Sequence, residues 1–102
     1  MIAVLPPPPA SLLVRPGDRA MRMGWVGEAS GRPPRDRGEV WIVCHAAGNG
    51  ERWTHLYRID PRDPRTVYLE RAAPGESVAA LRRWALRHLG LAQGAGLVPL
   101  AA

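Results

Sequence analysis

Five consecutive apolar positions, Val40-Trp41-Ile42-Val43-Cys44, stand between Glu39 and His45. The run is too short for a helix and rich in β-branched and aromatic types, so it predicts a strand. Arg52 to Ile59 alternates Trp53, His55, Tyr57 and Ile59 against Thr54, Leu56 and Arg58, which predicts a second strand with two unlike faces. Gly48-Asn49-Gly50 lies between the two and predicts a hairpin. With Asn49-Gly50 as a two-residue type I′ turn, Gly48 pairs with Glu51, Cys44 with His55, Val43 with Leu56, Ile42 with Tyr57 and Trp41 with Arg58. One face of that hairpin then carries Val40, Ile42, Cys44, Trp53, His55, Tyr57 and Ile59.

The flanks add shorter elements. Arg15-Pro16-Gly17-Asp18 predicts a type II turn, followed by two short half-apolar strands, Arg19 to Met23 and Trp25 to Ala29, split by Gly24. Ser30 to Gly38 reads as a loop, because prolines, glycines and arginines fill it. Asp60-Pro61-Arg62-Asp63-Pro64-Arg65 doubles an Asp-Pro-Arg unit, and its prolines remove two ladder donors, so it predicts a connection before a strand from Thr66 to Arg71. After Pro74-Gly75, Ser77 is placed as the N-cap of a helix running to Leu89, with Gly90 as its stop and Arg87 and His88 at its negative end. Val78, Leu81, Trp84, Ala85, His88 and Leu89 share one side of this helix, Arg83 and Arg87 lie opposite, and Arg82 is at the border.

The pattern thus predicts a mainly β chain with one C-terminal helix, an α+β arrangement in which helix 77–89 covers one face of the sheet. Residues 12–91 form its single domain. A Pro-rich tail (1–11), extended at Pro6 to Pro9, precedes it, and a flexible tail (92–102) without sustained period follows.

Composition alters this picture in one respect. Gly, Ala, Arg and Pro make up half of the 102 residues, all 14 basic residues are Arg, and Lys and Phe are absent. A genome rich in G and C produces that profile through its codons, so the Arg count by itself says little. The net charge of +5 still favours polyanionic partners. A single cysteine, Cys44, forms no internal disulfide, Met1 to Leu5 is too short and uncharged for a secretory signal, and no apolar run reaches about 20 residues; these point to a cytoplasmic protein without membrane insertion.

The order of strands, with Pro16-Gly17-Asp18, Gly24, Trp25-Val26-Gly27-Glu28 and the hairpin Val40 to Ile59, resembles an SH3-like small β-barrel. Gly17-Asp18 through Gly27 is similar to the Gly-Asp…Gly pattern of KOW-type barrels. The resemblance covers about residues 15–71. It implies a five-stranded small barrel or curled antiparallel sheet and a module that binds nucleic acid or protein. Ala29 departs from it, since such barrels usually place a larger β-branched residue there, and the helix from Ser77 is an addition. Three strands followed by a helix, from Glu39 to Leu89, also resemble the arm-binding domain of tyrosine recombinases and HicA-type ribonuclease toxins. The Gly-Ser-His motif of the latter is missing, because Cys44 and Thr54 precede His45 and His55.

Candidate chemistry is sparse. Cys44 and His55 face each other in the expected register, the arrangement that activates a thiolate, but no third orienting group accompanies them, and a buried small residue beside a packed ring explains them as well. His88 on the apolar side of the helix could approach His55. One cysteine and three histidines supply no zinc-ligand pair at the usual spacing, and no cofactor motif is present. Asp60 and Asp63 read as turn formers.

Three Arg groups remain: Arg32, Arg35 and Arg37 in the long loop; Arg58, Arg62, Arg65 and Arg71 around the last strands; and Arg82, Arg83 and Arg87 on the helix. Trp41 beside Arg58 supplies the aromatic-plus-Arg mixture that single-stranded nucleic acid favours. Trp41, Arg58, Arg62, Arg65 and Arg71 are therefore the expected binding residues of a non-catalytic module for DNA or RNA. A protein-interaction domain is the alternative, and a ribonuclease toxin a distant one.

Overall fold

A computed structural model describes residues 12–27, 38–46, 51–91 and 98–99. Strands β1 (Arg19–Trp25), β2 (Glu39–His45), β3 (Trp53–Ile59) and β4 (Val67–Pro74) form one open antiparallel sheet in chain order, and helix α1 (Val78–His88) lies on one of its faces. A two-residue segment, Val98–Pro99 (β5), pairs antiparallel with Met21 and Arg22 at the β1 edge. No helix among the described residues is long and apolar enough to cross a membrane. The tails, the loop arginines 32, 35 and 37, and the turn 47–50 lie outside the described residues.

The separate strand expected from Trp25 to Ala29 is not found. Arg19 to Trp25 is one continuous strand, Val26 and Gly27 turn away from it, and residues 28 and 29 lie outside the described residues. Gly24 was expected to split the segment; it instead follows a bulge, where the register with β2 slips between Arg22 and Gly24. The extra residue is Met23, which the bulge directs into the helix-side core.

The central hairpin forms over the expected residues but one position out of the expected register. Cys44 pairs with Thr54, Val43 with His55, Ile42 with Leu56, Trp41 with Tyr57 and Val40 with Arg58. A slip of one residue changes which side chains share a face. Val40 and Ile42 therefore join Leu56, Met23, Leu81, Ala85 and Leu91 under α1. Trp41, Val43 and Ile59 join Leu12 and Ala20 on the opposite face, with Val14, Tyr57 and Val67 packed at their margin. Cys44 and His55, expected to face each other, consequently point to opposite sides of the sheet.

The helix is seated by hydrogen bonds at both ends. Buried Thr54 donates through Oγ1 to the Gly75 carbonyl at 2.6 Å and accepts from the Ser77 amide at 3.0 Å. Ser77 occupies the N-cap position as expected, yet its hydroxyl donates back to the Pro74 carbonyl at 2.6 Å and caps nothing within the helix. At the other end the Gly27 amide donates to the Leu89 carbonyl at 2.8 Å, tying the helix to the end of β1. Leu81 and Ala85 are buried as the wheel requires. His88 is exposed and lies against Trp84, with ring centroids 4.9 Å apart, on the far side of the sheet from His55.

Candidate functional site

The sheet face without the helix carries the polar chemistry. Its floor is built by β2 and β3, where His45, His55 and Tyr57 project together because the register places Val43 opposite His55 and Trp41 opposite Tyr57. The three rings meet edge-on, with centroids 4.7 Å apart for His45 and His55, 5.6 Å for His55 and Tyr57, and 6.1 Å for His45 and Tyr57.

A hydrogen-bonded chain runs through them from a buried carboxylate. Asp18, 4% exposed, accepts from the Arg15 amide at 3.0 Å and from the Ala46 amide at 2.8 Å. Its Oδ2 also lies 3.0 Å from His45 Nδ1. His45 Nε2 is 3.0 Å from the Tyr57 hydroxyl, and that hydroxyl is 2.7 Å from His55 Nδ1. Burial alone would raise the Asp18 pKa, but the Ala46 and Arg15 amides and His45 outweigh it and hold the carboxyl below its ordinary value. His55 is pushed below the usual imidazole value, first by burial and then by His45. Tyr57 is pushed up by burial and by the Asp18 charge, so it keeps its proton at neutral pH and is no nucleophile.

An ionised Asp18 fixes a proton on His45 Nδ1, and two proton orders then complete the chain. In one, Tyr57 donates to His45 Nε2 and accepts from His55 Nδ1–H, leaving His55 Nε2 as a lone pair. In the other, His45 carries both protons, Tyr57 accepts from it and donates to His55 Nδ1, and His55 presents Nε2–H. The second order holds one proton more. A proton entering at His55 Nε2 can thus be stored beside Asp18 while His55 keeps a donor turned outward.

These groups line a cleft of about 430 Å³ between the Leu12–Arg15 segment and strands β2 to β4. Leu12 and Leu13 wall one side, Val67 and Leu69 the other, and Arg15 stands at the margin. Leu13 is 77% exposed and Leu69 54% exposed, so the rim of the cleft presents apolar surface to solvent. Among the described residues no group of three or more His, Cys, Asp or Glu side chains is placed to hold a metal ion.

The residues expected from the sequence to bind nucleic acid do not converge. Trp41 is 1% exposed, packed in the core of the cleft-side face, with its indole N–H donated to Glu39. Arg58 lies on the other face, paired with Glu70 at 2.6 Å and set over the Tyr68 ring at 4.4 Å. Glu70 reaches it because β4 is bulged there, where the β3–β4 register slips. Arg71 stacks over Trp84 of the helix, 5.2 Å from its ring centre. Arg62 and Arg65 sit in the exposed connection that Asp60 and Asp63 shape by accepting backbone amides, and Arg65 pairs weakly with Asp63 at 3.4 Å.

The cleft residues were not found from sequence. Asp18 read as part of a turn, and His45 and His55 were assigned to opposite faces by the expected register. The available signal was Asp18 directly after Pro16-Gly17, with His45, His55 and Tyr57 all at odd positions of two paired strands. Comparison of the chain with family models, curated proteins and solved structures finds no match.

Proposed function

We propose that the chain is a small, non-catalytic binding module whose ligand seats in the cleft above His45, His55 and Tyr57. The SH3-like resemblance implies a role of the same class. The observation that carries this reading is the union of apolar walls, two of them exposed leucines, with convergent polar groups anchored on a buried carboxylate, the composition of small-molecule sites in general. Screening small organic fragments by amide chemical-shift mapping tests the reading: shifts should cluster at Arg15, His55 and Leu69. Shifts confined to the helix face would overturn it.

A nucleic-acid partner is the second reading. Favouring it are the net charge of +5 and two exposed arginines, Arg62 and Arg65, in the connection that leads to Tyr68, which is itself 40% exposed. It requires that binding of a labelled single-stranded oligonucleotide weaken steeply with salt and that replacing both arginines by Ala reduce it further. Binding indifferent to salt would exclude it.

A further inference from the structure

The charge around the cleft specifies what it can hold. From the segment before β1 come Arg15 and Asp18, from β2 His45, and from β3 His55 and Tyr57, while the β4 residues nearest His55 are Ala72 and Leu69, neither of which titrates. Asp18 is already satisfied by two amides and His45. Arg15 lines the cleft, and its guanidinium makes no ion pair among the described residues, so a cation borders the cleft without a counter-charge paired to it there. Among the described side chains lining the cleft, His55 also offers Nε2, the nitrogen of that ring not bonded to Tyr57. One cation and one imidazole nitrogen suit a monoanion. A phosphate dianion would want more donors than these, and the leucines and Val67 favour a ligand that is mostly hydrocarbon.

We propose, resting on the cleft as the binding site, that its ligand is a carboxylate bearing an apolar body, held between Arg15 and His55 Nε2–H, and that binding draws a proton into the Asp18–His45–Tyr57–His55 chain. The proton comes from solvent and no bond other than N–H is made. In the neutral order of the chain, His55 Nε2 offers a lone pair, which repels a carboxylate. Taking up one proton turns that atom into a donor, and the chain lets the added charge reside on His45 beside Asp18, where it is compensated. Ligand and proton therefore bind together.

Octanoate and benzoate, with octanol and benzyl alcohol as neutral counterparts and inorganic phosphate as a competing anion, provide the test. Calorimetry across pH and in buffers of different ionisation enthalpy should show uptake of about one proton per acid bound above neutrality, with affinity falling up to about tenfold per pH unit. Amide shifts should map to Arg15, His55 and Leu69. Arg15→Gln should weaken the acids at least roughly tenfold and leave the alcohols unchanged, in line with loss of a charge-assisted contact. His55→Gln should abolish the pH slope, and because both side chains lie outside the core, each variant's amide spectrum should stay folded. Alcohols binding in the cleft as tightly as the acids would overturn the carboxylate assignment while leaving the cleft reading standing. Phosphate outcompeting the acids, or acids binding without proton uptake, would also overturn it. If no probe shifts the cleft, both readings fall.

Discussion

Asp18 and His45, 27 positions apart in the chain, meet at 3.0 Å with the carboxylate side chain only 2% exposed. The contact joins the turn before β1 to the end of β2, so it acts both on the fold and on the polar chain across the cleft.

Asp18→Asn removes the charge that three donors converge on, and should cost on the order of 2 kcal/mol in urea unfolding at neutral pH. The folded-state pKa of Asp18 lies below its unfolded value, so its contribution is fully present above the unfolded pKa and is lost as pH falls through the folded one. The variant should accordingly lose less stability than the parent chain on acidification below about pH 4. Identical acid curves for the two proteins would show that Asp18 is not the group responsible.

His55 should titrate below the ordinary imidazole value of about 6.5 in a ring-proton NMR titration. Because the unfolded chain then binds more protons than the folded one, its contribution to stability is full above the unfolded pKa and declines as pH drops toward the folded pKa. His45→Gln removes one of the two causes and should move the His55 midpoint upward. A midpoint at or above 6.5 in the parent protein contradicts the described surroundings of the ring.

Gly38 enters β2 with φ of +97°, and a Cβ there would collide with the Ile59 carbonyl oxygen. Gly75 has φ of +72° but open space around the same position. Gly75→Ala should cost about 1 kcal/mol for the backbone alone, and Gly38→Ala clearly more, since β3 must also shift. Paired denaturant curves check this; equal losses would mean that the strand gives way easily.

Leu56→Ala opens a cavity between the sheet and α1 and should cost roughly 2–5 kcal/mol. Leu69→Ala, at the rim of the cleft, should change stability by less than about 0.5 kcal/mol while weakening any apolar ligand. Thermal unfolding and ligand titration of the two variants separate the roles. A large stability loss at Leu69 would place it in the core instead.

The strands and the helix were legible because their signals are local. Val40 to Cys44 is a β-branched run, Arg52 to Ile59 has a clear period of two, and Leu81 and Ala85 fall on the apolar side of a wheel that Gly90 ends. Pairing is less local. The expected register of β2 on β3 rested on reading Asn49-Gly50 as a two-residue turn, and the observed pairing, with His45 opposite Trp53, lies one residue away from it. That single residue carried Cys44 toward His55 on paper and separated the two histidines that in fact touch. Gly24 misled in a similar way, since a glycine within a strand can mark either an end or a bulge, and only the burial of Met23 decides. The surroundings of the Arg group were illegible for another reason: counting charges says nothing about Glu70, Asp63 and Trp84, against which Arg58, Arg65 and Arg71 lie.

The helix covers one face of the sheet and leaves the other open, so adjacent residues of β3 answer to unlike demands. Thr54 and Leu56 hold the framework together, whereas His55 and Tyr57 between and beyond them face the cleft. Tolerance to substitution should therefore differ between neighbours on this strand, and the chemistry of the cleft can be rewritten at His55 with less danger to the scaffold than a change at Thr54, Leu56 or the buried Ile59 would bring.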